Sequence, residues 1–321
     1  MRPSLPRLPS LALLDTEVST RRLRWLCVPV GLIAAWHLLG VVRHERRSRD
    51  VFHVPYRGLG WLPDLSPAVF TVVMVTGLAA GVLMAAGAWR RVTTKVTFAV
   101  VAYHLALSAT NFHHNRAYLV IVLFCLAATP LDRPSAPAWT LWLLRIECSV
   151  VYAASGVSKL VDPDWAGGTV TWLRVVHQEA QVRASVLPGW VADVLVDRGA
   201  HRLIAPAIVA TELAIAASPW FRRTRPWALA LAVAFHVSIE VSSRVETFSY
   251  LAVAVIVLIW IETPRLTRGE RMFDTRANGV QQPVVDVEGT RAHPLRPEGS
   301  RRARPGLAGV ECRWRQPRLG A

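Results

Sequence analysis

Lysine is nearly missing from this chain. Of its 37 basic residues only Lys95 and Lys159 are lysines, and arginine occupies the other cationic positions. A lysine that remains invites a reason, although codon bias alone is enough to produce the skew. Cysteine is equally sparse. Cys27, Cys125 and Cys148 lie in apolar blocks, Cys312 lies near the C-terminus, and no two form a C-x-x-C pair. They read as small buried hydrophobes. The sequence has no nucleophile elbow, no P-loop, no dinucleotide-binding glycine pattern and no H-E-x-x-H or dense H-x-x-H-H box. These absences leave no metal expected, although His104, His113, His114, His236 and Glu240 could converge on paper. Residues 1–24 mix Pro, Asp, Glu and Arg without an apolar run, so the first spanning helix is expected to act as its own insertion signal.

What is abundant is apolar sequence. The chain has 321 residues, 52% hydrophobic, with mean hydropathy +0.31. The excess over the about 45–50% of soluble domains is gathered in blocks close to the length that crosses a bilayer core. Eight segments read as membrane helices, at 25–42, 67–89, 95–111, 117–131, 139–160, 203–221, 226–243 and 246–262. The third and fourth are short, which suits tilted, re-entrant or buried segments. Gly77-x-x-x-Gly81 in the second has the spacing that lets two helices approach closely. The fold class expected is all-α: a polytopic membrane bundle of about eight transmembrane helices.

The net charge of +15 and pI near 11.1 invite a nucleic-acid reading, but the arginines sit in loops between apolar blocks. There they fix topology and meet anionic headgroups; the partner expected is the lipid bilayer and not nucleic acid. Arg90, Arg91 and Lys95, then Arg222, Arg223 and Arg225, then a tail with 12 Arg against 6 acids would share one side of an eight-helix bundle. The positive-inside rule makes that side cytoplasmic, with both termini inside. Arg43, Arg46, Arg47 and Arg49 fall on the opposite side and break the rule. The division expected is a cytoplasmic segment 1–20, a transmembrane domain 21–262 and a disordered basic tail 263–321. The long loop 161–202 is placed outside. Trp172, Leu173, Val175 and Val176 suggest one interfacial amphipathic helix in it, and Val191, Val194 and Leu195 a second. Such a loop either caps a cavity or merely connects two helices.

The segments also contain groups that lipid rejects. A charge at mid-bilayer costs about 2.5–3.5 kcal/mol on insertion scales, yet Glu212, His236 and Glu240 lie mid-block, with Arg145, Glu147 and Lys159 in segment five and His37 and His104 in segments one and three. Arg145, Ser149, Tyr152, Ser155 and Lys159 recur at steps of three or four, so they share a helix face. His104, Ser108 and Asn111, leading into His113, His114 and Asn115, make a second stripe; His236, Glu240 and Ser243 make a third. Such stripes turn toward one another or toward a water-filled cavity. Bland alternatives stand beside each: Lys159 snorkelling or pairing with Asp162 and Asp164, His37 as a satisfied core histidine, and His236 and Glu240 as a mutual structural pair.

Several stretches resemble one family. NFHHNRAYLVIVLFCLAATP (111–130), LLRIECSVVYAASGVSKLVDPDWAGG (143–168), AFHVSIE (234–240) and PYRGLGWLPDLSP (55–67) are similar to segments of the HTTM domain, the membrane domain of vitamin K-dependent gamma-carboxylases. Tyr152, Gly156, Lys159, Trp165 and Gly168 are the specific part. The resemblance implies a reduced quinone, vitamin K hydroquinone-like, as cofactor, with Lys159 as the base that starts its oxidation and with carboxylation of glutamate following. A low-dielectric site is what lets a lysine serve as base near neutral pH. His104, Asn111, His113, His114, Asn115, Arg145, Tyr152, Trp165, Glu212, His236 and Glu240 are the candidates for binding and proton transfer. The large C-terminal domain that holds the peptide in the animal enzymes has no counterpart in the short tail. The alternative is a non-catalytic membrane factor that matures or exports a secreted peptide; a transporter ranks below both, for want of an inverted repeat.

Overall fold

The computed structural model describes residues 16–44, 54–242 and 247–260. The segment 1–15, the arginines at 46, 47 and 49 and the tail 263–321 lie outside the described residues. All described residues fall in a single unit. Its elements, in chain order, begin with β1 (Glu17–Ser19), α1 (Arg21–His44), α2 (Pro67–Ala86), α3 (Arg90–Leu107), α4 (His114–Ala128), β2 (Ser135–Pro137) and α5 (Trp139–Val161). Four short helices follow: α6 (Pro163–Ala166), α7 (Thr169–Val176), α8 (Glu179–Arg183) and α9 (Gly189–Val196). Then come α10 (His201–Ala217), α11 (Arg225–Ser242) and α12 (Thr247–Trp260).

All eight expected segments are helices. Four are long and apolar enough to cross a membrane by length and composition: α1, α2, α5, and α10 with the short turn that continues it to Trp220. Helices α4 and α12 are apolar but short; the 15 residues of α4 rise about 22 Å, less than the about 30 Å hydrocarbon core. The expected third segment ended at 111, but α3 stops at Leu107 because Ser108 is extended (φ −146°) and accepts a hydrogen bond from Val54 N at 2.9 Å. The polar stripe drawn through Ser108 to Asn111 is therefore interrupted. Helix α4 starts three residues early, where the His113 ring caps it by accepting from Asn115 N.

The bundle is helical apart from one small ladder. Strands β1 and β2 pair antiparallel, Val18 opposite Ala136. Strands of three residues carry no alternation that a sequence reading could find. The ladder ties the start of α1 to the α4–α5 linker, helped by Thr20 Oγ1 donating to Arg133 O (2.6 Å) and Arg24 Nε donating to Leu131 O (2.8 Å).

Helix α1 runs through the centre, half of its span buried. Its partner α2 starts on Pro67 after Ser66, a favoured first helical position for proline, and ends at Gly87 in the left-handed conformation (φ 80°) with backbone caps to Leu83 and Met84 carbonyls. The two helices meet at glycine. A Cβ on Gly31 would lie 2.5 Å from Gly81 O and 2.9 Å from Ala85 N, both backbone atoms, and one on Gly77 would lie 2.5 Å from Val100 of α3. The expected close approach at Gly77-x-x-x-Gly81 is thus made to α1 and α3, on a core filled by Leu26, Val30, Leu38, Met74, Met84 and Val101.

Candidate functional site

The other half of the molecule is built around α5 and α10. Their crossing is close because Gly156 has no side chain: a Cβ there would meet Leu213 Cδ2 at 2.9 Å and Glu212 Cβ at 3.5 Å. That brings the α5 polar face against the carboxylate of α10. Lys159 Nζ donates to Glu212 Oε1, forming an ion pair and a hydrogen bond. It also donates to Ser155 Oγ (2.8 Å), and Ser155 donates in turn to Glu212 Oε1 (3.1 Å). The Lys159 ammonium lies 4.9 Å from the centre of the Trp165 ring, whose surroundings also include the Arg174 guanidinium at 5.0 Å. Glu212 is 5% exposed, and its second oxygen, Oε2, is buried without a hydrogen-bond partner among the described residues. Lys159 pairs with Glu212; the alternative partners Asp162 and Asp164 are used locally, Asp162 capping α6 through Asp164 N and Trp165 N.

This triad is in the wall of a cavity of about 1720 Å³. Helices α4, α5, α10 and α11 supply most of the apolar wall, with Ile121, Val150, Val151, Ala154, Ile208 and Phe235 among the lining. His113, His114 and Asn115, capping α4, face it from one side, and Trp165, Arg174, His177 and Gln178 from the 161–202 loop cover it from another. The loop is therefore a cap with structure of its own. Both expected amphipathic helices exist as α7 and α9, and Val175, Val182 and Ala192 form a small core between α7, α8 and α9. His201, at the start of α10, pins this cap: its Nδ1 bonds Thr171 Oγ1 (2.9 Å) and its Nε2 donates to Leu195 O (2.8 Å). Gly168 starts α7 at φ 82°, pressed against the His201 carbonyl, where a side chain would suffer both strain and collision.

Each member of the specific Tyr152, Gly156, Lys159, Trp165, Gly168 run thus has a physical task. Tyr152 shares a hydrogen bond with His236 Nε2 just behind the cavity wall, joining α5 to α11. This replaces the His236–Glu240 pairing weighed from spacing; Glu240 is half-buried and does not line the cavity.

Three sequence candidates lie elsewhere. His104 is buried against His37, with ring nitrogens 3.4 Å apart, and its carbonyl accepts from Asn111 Nδ2 at 2.8 Å. Both belong to a polar knot between α1 and α3. Arg145 donates to Ile259 O (3.0 Å) and lies over the rings of Trp142 and Trp260, clamping the ends of α5 and α12. Ser155, Tyr118, Arg174 and His201 were not singled out as site residues from sequence. Ser155 was findable, since it stands one turn before Lys159; Tyr118, a lone tyrosine in an apolar run, carried no signal. Among the described residues no three His, Cys, Asp or Glu side chains are placed to hold a metal ion.

The arrangement defines a class: a helical membrane protein with a capped, largely apolar cavity and one amine–carboxylate pair in its wall. A family model for the HTTM domain matches residues 19–263, and the chain belongs to that family. No curated protein and no solved structure matches it significantly.

Proposed function

We propose that this HTTM membrane protein is an enzyme of gamma-carboxylase-like type, which takes a lipophilic reduced quinone into the cavity and draws a proton from it at the Lys159–Glu212 pair. One observation carries the reading: a buried amine and carboxylate face a large apolar and aromatic hollow, with Glu212 Oε2 left without a partner among the described residues. An oxygen buried unpaired costs about 1–3 kcal/mol, so a ligand that donates a hydrogen bond there is favoured. The residues fit a quinol: an apolar body for the walls and a hydroxyl for Glu212.

When bound, a quinol supplies an acidic hydroxyl and the two electrons that dioxygen takes up. Glu212 Oε2 receives the hydroxyl's hydrogen bond. Lys159 Nζ, Ser155 Oγ and Glu212 Oε1 form one hydrogen-bonded group, so a proton accepted at the carboxylate is shared across it with the amine. The Trp165 face stabilises the cationic form of the amine. Tyr152 and His236 brace α5 against α11, and α7 and α9 cover part of the cavity. The sequence reading gave the base role to Lys159 alone; the pairing extends it to Glu212. Glutamate carboxylation in a secreted peptide, a position in the cell membrane, eight crossings, cytoplasmic termini, and the division at 20 and 262 belong to this same reading.

Purified protein in lipid nanodiscs, given menadiol, is expected to show quinol-dependent oxygen uptake. Lys159→Ala lowers it by about two orders of magnitude or more, the usual weight of a positioned base. Absence of uptake with any quinol overturns the proposal. A Lys159→Arg variant that keeps full biological function would instead favour the non-catalytic maturation factor.

A further inference from the structure

A second pole lies in the cavity wall, one that the proton-transfer group does not use. Glu147 of α5 lines the cavity inside an apolar helix, and no hydrogen bond or ion pair joins it to any described residue. Tyr118 of α4 lines the same cavity. Its side chain is 4% exposed, and its Oη is buried without a partner among the described residues. Both side chains line one hollow, and the Tyr118 oxygen is buried without a partner among the described residues, so a ligand group that hydrogen-bonds there is favoured.

The spacing of the two poles restricts that ligand. The Lys159 ammonium folds back to the level of Ser155. From Ser155 to Glu147 is eight residues of helix, about 12 Å at 1.5 Å per residue. Residues 147, 150, 151, 154, 155 and 158 all line the cavity, so the poles share one face of α5. A ring with two para hydroxyls and a hydrogen bond at each end spans about 11 Å between its holders. A phenol with a single hydroxyl reaches only one pole.

We infer that Glu147 and Tyr118 are a second binding site, which holds the far hydroxyl of a para-diol whose near hydroxyl meets Glu212. The inference rests on the quinol reading above. It makes Glu147 and Tyr118 positioning residues, which set the orientation of the ring in front of Lys159.

The test is menadiol binding under anaerobic reducing conditions, read by tryptophan fluorescence of the full chain in nanodiscs. Glu147→Leu removes a charge from an apolar helix and Tyr118→Phe removes one oxygen, so both variants should fold; thermal unfolding checks this. Each is expected to raise Kd about tenfold, the worth of one hydrogen bond involving a charged or buried group. Menadiol monomethyl ether should bind the unaltered protein about tenfold more weakly than menadiol, and Glu147→Leu should weaken it no further. Variants that bind menadiol as the unaltered protein does overturn the second pole; if Lys159→Ala still abolishes oxygen uptake, the proposed function stands. An unaltered protein that binds no menadiol overturns both.

Discussion

Two halves of this bundle use glycine in opposite ways. Around α1, α2 and α3 it brings backbone onto backbone, Gly31 against Gly81, and the space is filled by Leu38, Met74 and Val100. Around α5 and α10, Gly156 brings a lysine and a glutamate together beside a cavity of about 1720 Å³. The first half is closely packed. The second keeps charge inside an apolar helix, which is costly, and leaves buried oxygens unpaired. Helices similar in length and composition therefore serve stability in one half and ligand binding in the other, and residue-level packing decides which.

Breaking the comparison at its strongest point means splitting the ion pair. Glu212→Leu strands the Lys159 ammonium, and loss of one partner of a buried pair costs about 3–5 kcal/mol. A large fall in thermal midpoint is expected, with recovery when Lys159→Met is added. The closely packed half is next. Gly31→Ala drives a Cβ into the α2 backbone, and overpacking of that kind costs about 1–3 kcal/mol; reduced yield of monodisperse protein is the readout. In the cap, His201→Phe loses two hydrogen bonds, at about 1–3 kcal/mol for the groups left unpaired. Hydrogen exchange should rise in α7 and α9 while α1 and α2 stay protected. The smallest effect is Gly40→Ala, where a Cβ meets nothing within 4 Å; a change within about 0.5 kcal/mol is expected. A large loss there would mean that the α1 packing is misread.

Much of this division is legible in the sequence. Apolar block length located eight of the helices, four of them long enough to cross a membrane, and the amphipathic residues around Trp172 and Val191 located α7 and α9. Helix ends were less legible, because Ser108 and His113 act through cap geometry that composition does not carry. Of the stripe drawn on α5, Ser155 and Lys159 line the cavity and Arg145, Ser149 and Tyr152 do not; Glu212, Trp165, His113, His114 and Asn115 line the same cavity. Periodicity gives a face, though, and not the neighbour it meets. His104 turns to His37, Asn111 to the His104 carbonyl, and Arg145 to Trp142 and Trp260. Tyr118 and His201 depend on contacts between elements far apart in sequence, His201 with Thr171 and Tyr118 with Phe248, and spacing cannot report those.

Lys159 and Glu212 are partners inside the protein, and a double-mutant cycle on that pair measures this directly. Thermal unfolding in nanodiscs of the unaltered chain, Lys159→Met, Glu212→Leu and the double variant should give a coupling energy of about 2–3 kcal/mol, the upper range for contacting groups. Effects that add to within about 0.5 kcal/mol would show two independent side chains and contradict the site.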